Sequence, residues 1–544
     1  MVTGVTGRPE TPAYHIGPGG DDGMGAEVFT SDPNSRTRCN MLNRAIPFSA
    51  ALVAAWVAPV AAQIITIRTV PISQAHQFDI LPSLRLGMGG VSIAVDDSLH
   101  DPFGNPALGA RLTGSQFFGA PGLYSVSSRA GAGRTLPMGA LVRSGPWFGG
   151  MSLAIQQVDF SEGSGFPIPV CPNCRMLQTD VASFPLIAPT HRSNGNTYAQ
   201  GMLGRVLSNG LSIGGSVAWA GLHGIDGVDL LYAGSAGLKQ SGHSLDLRLG
   251  ALKQWEGNRS LSALVLHHRF ATTHDVDYLD SFWDPVLQQF GQRVRSEENL
   301  DHTNTWGLHL EYRQPLRAPG WRLGWVATSN LMTHPKLPNY QIQEIQSIPR
   351  DPGNSEAFNF GVGISKSADQ ATLGVDVVYE PIWSYTWADA AGPVGTVSGA
   401  TIPTGGKTIE NHFRFSNAII RMGVAQDLPF DRAAKVAGLQ LGLVVHSINY
   451  TLAQRDNVEA RSRSLQQDWI EWTPTWGLSL RFPAWEVRYR GSVTNGTGRP
   501  GVFGGDLRVD VAAPGNVLVA PIGPVTMSGV RVMTHQVSIS FPFR

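Results

Sequence analysis

The sequence predicts an all-β chain, and within that class a transmembrane antiparallel β-barrel. Three observations carry this: segments of about ten residues that alternate apolar and polar side chains, aromatic residues at their ends, and a secretion signal ahead of them. A soluble β-sandwich also alternates. Strand length, the flanking Trp and Tyr residues and the secretion signal separate the two.

Composition narrows the function. Only 15% of the 544 residues are charged and the formal net charge is zero, which argues against a nucleic-acid partner. The hydrophobic content of 42% argues against disorder. The 63 glycines follow no three-residue period and fit a turn-rich β chain.

At the N-terminal end, Met41-Leu42-Asn43-Arg44 supplies a short basic start and Ala45 to Val57 an apolar core. Val60-Ala61-Ala62 is a small-residue cleavage site before Gln63, so 41–62 reads as a signal peptide. Residues 1–40, polar and rich in Gly and Pro, read as a non-native or untranslated extension, with translation starting at Met41. The apolar core is too short to span a bilayer as a helix, and no later run reaches the roughly 18 residues required.

The stretch from Arg85 to Leu112 is a poor membrane strand, because it is rich in small residues and Asp96, Asp97 and Asp101 interrupt it. Gly87, Gly89 and Gly90 allow tight turning or close approach to another surface. Asn105 is a good helix N-cap, Pro106 suits the first helical position, and Ala107-Leu108 propagates a short turn. A phosphate-cradling reading of the glycines lacks the preceding strand and basic partner that it needs.

The combination Gly87-x-Gly89-Gly90, Ile93-Ala94-Val95-Asp96-Asp97 and Asn105-Pro106-Ala107-Leu108 resembles the N-terminal hatch of FadL/TodX-type outer-membrane transport proteins and their PorV-like relatives. The resemblance is specific over about 25 residues and elsewhere matches only general barrel character. It implies a hatch over 63–112 inside the lumen, with Gly87, Gly89, Gly90, Asp96, Asp97, Asn105, Pro106 and Ala107 as its characteristic residues. A barrel over 113–544 then follows.

Within 113–544, Phe358, Phe360, Val362 and Ile364 alternate with Asn359, Gly361, Gly363 and Ser365. Leu439, Leu441 and Leu443 alternate with Gln440 and Gly442, and Trp306, Leu308 and Leu310 with Gly307, His309 and Glu311. Asp246, Arg248, Arg322, Asp376 and Arg481 fall on the polar faces, where they would pair with hatch charges or line a hydrated lumen. The last strand, Arg531 to Phe543, places Val537, Ile539, Phe541 and Phe543 on one face, resembling the strand that barrel-assembly machinery recognises. About 17 candidate strands can be drawn, yet bacterial single-chain barrels have an even number, which makes 229–240 the suspect span. The expectation is about 14 strands, as the resemblance implies, with about 16 the alternative.

Compact periplasmic turns are expected at Ser208-Asn209-Gly210, Ser367 to Gln370 and Pro429 to Lys435. Long external loops are expected at 160–195, 271–303, 332–355, 383–411, 451–467 and 497–529. In the second, Asp284 as cap, Pro285, and Leu287, Phe290 and Val294 on one face predict a short amphipathic helix. With Phe282 and Trp283 ahead of it, Leu287 and Phe290 make this loop the candidate ligand entrance or, equally, a lid.

Cys171 and Cys174 read as a local disulfide in an oxidising compartment, since haem and redox settings are missing and zinc would need distant partners such as His191. Asp275, Asp277, Asp280 and Asp284 match no calcium-loop spacing and read as solvated acids. His267 and His268 point to opposite strand faces and cannot jointly hold one ion. No metal or cofactor is expected. No local nucleophile signature selects an enzyme.

The primary expectation is a channel in the bacterial outer membrane for passive uptake of small hydrophobic molecules, such as long-chain fatty acids or aromatic compounds. Its expected partners are outer-membrane lipid, the hydrophobic ligand and the assembly machinery, with the chain a monomer. The alternatives are a porin for polar solutes and a PorV-like surface scaffold.

Overall fold

In the computed structural model the described residues are 64–69, 75–129, 131–159, 193–226, 228, 237–284, 289–335, 352–390, 392–429, 436–500 and 527–543. Among the described residues nineteen strands follow in chain order. The first nine are β1 Ser115–Gly119, β2 Gly122–Val126, β3 Gly131–Ser144, β4 Trp147–Asp159, β5 Ser193–Val206, β6 Leu211–Leu222, β7 Gly237–Trp255, β8 Arg259–Asp284 and β9 Gln289–Pro315. The rest are β10 Trp321–Thr333, β11 Gly353–Ala368, β12 Ala371–Asp389, β13 Val394–Gly395, β14 Thr401–Ile402, β15 Lys407–Pro429, β16 Val436–Asp456, β17 Arg461–Arg481, β18 Glu486–Pro500 and β19 Met527–Phe543.

All but β13 and β14, which form a separate small hairpin, belong to one antiparallel sheet that closes on itself. Both β1 and β2 pair with β3 on one side and with β19 on the other. They are therefore two halves of one wall position, interrupted at Ala120-Pro121, and the closed barrel has 16 strands. The count of 14 is corrected to the alternative of 16. Parity is restored where it was in doubt, because β6 pairs directly with β7. Of 229–240, residues 237–240 open β7 and the others lie outside the described residues.

Alternation decides which face points where. Leu441 is 51% exposed on the outer face, while its neighbour Gln440 faces inward and its amide donates to the Leu84 carbonyl at 2.8 Å. On the other side of the barrel Leu247 and Leu249 are exposed and Asp246 is buried. His309, Glu311 and Asp376 are buried, as their polar-face positions predict, whereas Trp306 and Leu308 face out. An apolar exterior around a closed backbone ladder leaves no unpaired sheet edge, which is what a β-structure immersed in hydrocarbon requires.

Short turns gather at one end. Asn209 (φ 59°) and Gly210 (φ 69°) make the turn expected between β5 and β6, and Asp369 (φ 38°) the one between β11 and β12. The third expected turn joins β15 to β16, with 430–435 outside the described residues.

The opposite end departs from expectation. Segments read as loops at 271–303, 383–411 and 451–467 are in large part strand: β8 and β9 pair out to Asp284↔Gln289, and β16 and β17 out to Asp456↔Arg461. Once a hairpin rises above an apolar belt both faces meet water, so period-two hydrophobicity disappears while backbone pairing continues. The helix expected from Asp284 is replaced in the same way. Gln289 to Val294 belong to β9, with Trp283 opposite Phe290 and Leu279 opposite Val294. Positions four apart share a face in a strand as well as in a helix, so Phe290 and Val294 could not discriminate.

Candidate functional site

The segment ahead of the barrel is tied to the inward faces of its strands. Its turn Leu86–Met88, which follows an earlier turn at Ala75–Phe78, ends at Gly89 and Gly90, whose φ values of 69° and 66° lie in the left-handed region that favours glycine. Next comes a knot of charge made by the segment itself. The buried Arg85 guanidinium pairs with Asp101 and, at 3.4 Å, with Asp97, and donates to the Ser92 carbonyl. Asp97 also accepts from the Leu99 and His100 amides at 3.0 Å. Burial alone would raise the Asp97 carboxyl; the charges of Arg85 and His100 and the hydrogen bonds from the Ser83 hydroxyl and the His100 amide outweigh it and hold the group below its ordinary value.

Asn105 caps the following turn, Pro106–Arg111, its side chain accepting from the Ala107 amide at 3.1 Å, as the sequence predicts. The Asn105 amide group also reaches Ser262 of β8.

The segment makes polar contact around much of the ring. The Gly89 amide donates to Thr475 Oγ1 at 2.8 Å, and that hydroxyl donates to the Gly87 carbonyl. Asp376 of β12 accepts from the Ser92 and Ile93 amides. Arg313 of β9 donates to the Ser92 carbonyl at 2.9 Å, and Arg248 of β7 to the Gly104 carbonyl at 2.7 Å. Wall glycines allow the close approach: a Cβ at Gly423 would lie 2.6 Å from Met88 Cα, and one at Gly214 2.8 Å from the Pro106 carbonyl carbon.

Asp96 is where the charges of segment and wall meet. It pairs with Arg111 of the segment at 2.6 Å, with Arg322 of β10 at 2.7 Å, and with Arg313. Burial raises its carboxyl, but Arg313, Arg111 and Arg322 pull harder, and the group sits well below the usual carboxylate range. Of the expected luminal partners, Arg322 meets Asp96 of the N-terminal segment, Arg248 pairs with Asp246 of its own strand, and Arg481 pairs with Asp427 and Glu486.

A second contact lies further toward the long-loop end. The Ile65 amide donates to Asn330 Oδ1 at 2.7 Å, Tyr450 donates to the Thr69 carbonyl at 2.9 Å, and Arg68 pairs with Glu471. Here Ile65 packs into an inward-facing apolar cluster of Met332, Ile382, Phe413, Phe415, Tyr450 and Leu452, with Ile67 and Trp469 against it. Sequence reading missed this cluster. Its signal is parity: Phe413 and Phe415 share a face with Asn417, and Ile382 with Asp376 and Glu380, so the inward stripe changes from polar to apolar along the strands.

Other expected residues fall as follows. Phe282, Trp283 and Phe290 lie in the β8–β9 hairpin, while Leu287, Cys171 and Cys174 lie outside the described residues. His267 packs against Trp306 on the outer face, the tilted rings 4.4 Å apart between centroids, and His268 bonds Ser244 at 2.8 Å inside. Among the described residues no three His, Cys, Asp or Glu side chains converge as metal ligands do.

The arrangement defines a class: a closed barrel whose interior contacts a segment of its own chain. No protein-family profile and no curated protein matches the sequence. Among solved structures the chain is similar to a Pseudomonas aeruginosa FadL homologue, at 11% identity over 89% of this chain and 100% of that one, TM-score 0.39. It is similar also to the Pseudomonas putida toluene transporter TodX, at 11% identity, the same coverage and TM-score 0.36. A bacterial polysaccharide outer membrane secretin matches at 6% identity, over 79% of this chain and 99% of that one, TM-score 0.34. At these values the fold rests on the strand pairing itself.

Proposed function

We propose that the protein is an outer-membrane barrel through which small hydrophobic molecules, long-chain fatty acids or aromatic compounds, pass by diffusion, with residues 63–112 as a hatch in its lumen. The observation that carries this reading is the inward apolar cluster around Phe413 and Phe415. A lumen built only for polar solutes gains nothing from such a surface, whereas an apolar solute gains the area it removes from water. Ile65 now covers part of the cluster, and burying one such side chain contributes roughly 1.5–3 kcal/mol. A solute with comparable apolar area can therefore replace it.

Several of the interior charges that favour a porin have charged partners of their own. Asp246 holds Arg248, Glu311 holds Arg313, and Asp96 holds three arginines. In this reading they fix the hatch and do not wet a pore. Phe282, Trp283, Leu287 and Phe290 supply the outer capture surface, Cys171 and Cys174 a loop disulfide, and the chain works as a monomer in the bacterial outer membrane after assembly by the barrel machinery.

The test is uptake into liposomes carrying the purified protein, comparing a labelled long-chain fatty acid and an aromatic hydrocarbon with a sugar. Faster entry of the apolar solutes supports the reading. Faster sugar entry makes the protein a porin, and uptake of neither, with secreted proteins co-purifying from intact membrane, makes it a scaffold.

A further inference from the structure

At the short-turn end of the barrel the outward apolar surface runs into cations. Trp147 of β4 lies opposite Arg205 of β5 in the strand register, and Arg205 Cζ stands 5.0 Å from the centroid of the Trp147 ring. Across β6, Lys253 Nζ of β7 stands 6.0 Å from the Trp255 ring. Leu211 and Ile213 of β6 lie between the two pairs, opposite Lys253 and Arg205 respectively, and both are exposed. Arg205 continues the outward stripe of the exposed Leu203, and Lys253 that of the exposed Leu247 and Leu249.

Neither cation has a carboxylate. Among the described residues Arg205 makes no ion pair, and Lys253 donates to the Asn209 carbonyl but pairs with no acid, although Glu256 lies in the adjoining turn. The arrangement recurs at the same end, where Lys366 Nζ of β11 stands 5.5 Å from the ring of Trp321, its register partner on β10, again without an acid. At the long-loop end the cation held over aromatic rings is neutralised: Lys407 Nζ lies 4.5 Å from the Trp387 ring and has Glu410 at 3.8 Å. An aromatic face holds a cation in place without cancelling its charge. The short-turn rim of β4 to β7 therefore sets positive charge directly beside apolar surface.

We infer that this rim binds an anionic phospholipid, with Arg205 and Lys253 attracting its phosphate and an acyl chain lying over Leu211 and Ile213. Short turns face the periplasm in outer-membrane barrels, which puts the rim at the inner leaflet. A cation beside a membrane surface attracts anionic headgroups, and tryptophan settles where the apolar and polar layers meet. A free phosphate would use the cations alone, whereas a lipid also covers the apolar saddle between them. The inference rests on the membrane placement of the barrel and not on which solute crosses it.

Native mass spectrometry of the full barrel, released from detergent micelles that hold equal amounts of dioleoyl phosphatidylglycerol and dioleoyl phosphatidylcholine, tests this. The anionic lipid should be retained at least about fivefold over the zwitterionic one. Arg205→Gln combined with Lys253→Gln should lower that ratio severalfold, and Arg205→Lys combined with Lys253→Arg should keep it. Arg134→Gln, at the opposite end beside Asp159, should leave it unchanged. Should the glutamine variant fail to assemble, the wild type answers alone: phosphatidylglycerol with a diazirine on its acyl chain should photolabel the peptide containing Leu211 and Ile213 more than the phosphatidylcholine analogue does. Equal retention of the two lipids, a ratio unmoved by the glutamine changes, or labelling of that peptide indifferent to headgroup would overturn the site and leave the membrane barrel standing. A chain that stays soluble without detergent would overturn the membrane reading and the site together.

Discussion

Arg322 Nη1 of β10 and Asp96 Oδ2 of the N-terminal segment lie 2.7 Å apart, joining residues far apart in the chain. The same carboxylate serves Arg111 and Arg313, so one side chain links the segment to two wall strands.

Asp96→Asn should therefore loosen the segment without dismantling the barrel. Asp96 is 41% exposed, which discounts the ion pairs, but Arg313 is buried and loses one of its two acids. A cost of about 1–2 kcal/mol is expected, read as faster hydrogen exchange over 85–112 with unchanged heat-modifiable mobility on gels.

The pH dependence of that link has a definite sign. The folded carboxyl sits below its unfolded value, so the stabilisation is fully present above the unfolded value, about pH 4. It is lost only as pH falls through the lower folded value. Protection over 85–112, taken as exchange relative to the intrinsic rate at each pH, should be flat from neutral to mildly acidic pH and fall below about pH 4. A fall already near neutrality would contradict the assignment.

Gly423→Ala tests the packing of segment against wall. The added methyl meets Met88 backbone, which cannot move as a flexible side chain can. A cost of about 1–3 kcal/mol is expected, again as increased exchange over 85–112. A wild-type profile would mean that the segment does not rest on this strand.

Leu441→Arg tests the outer face. Near a bilayer midplane this change should cost about 2–4 kcal/mol in folding into lipid vesicles. Unchanged folding would place Leu441 away from lipid.

Much of this architecture is legible in the sequence, and the reasons for the rest are physical. Where one face meets lipid and the other the lumen, as at Leu439 to Leu443, alternation fixes strand and register together. Above the belt that contrast vanishes, and the upper parts of β8 and β9 read as loop. The segment's turns at Gly89 and Asn105 are local and readable, but its charge partners are not: Arg85 choosing Asp97 and Asp101, and Arg313 choosing Asp96, depend on how the chain closes. The apolar cluster was hidden for a related reason. Phe413 and Phe415 alternate just as outward residues do, and only counting parity from Asn417 shows that they point inward.

The transport account is tested most directly by the initial rate at which a labelled long-chain fatty acid enters proteoliposomes, measured for the wild type and for Phe413→Ser combined with Phe415→Ser. The wild type should carry the fatty acid faster than a sugar, and the double change should lower fatty-acid entry severalfold while leaving barrel assembly and sugar permeation as they were. Equal fatty-acid rates in the two proteins would contradict a route across the apolar cluster.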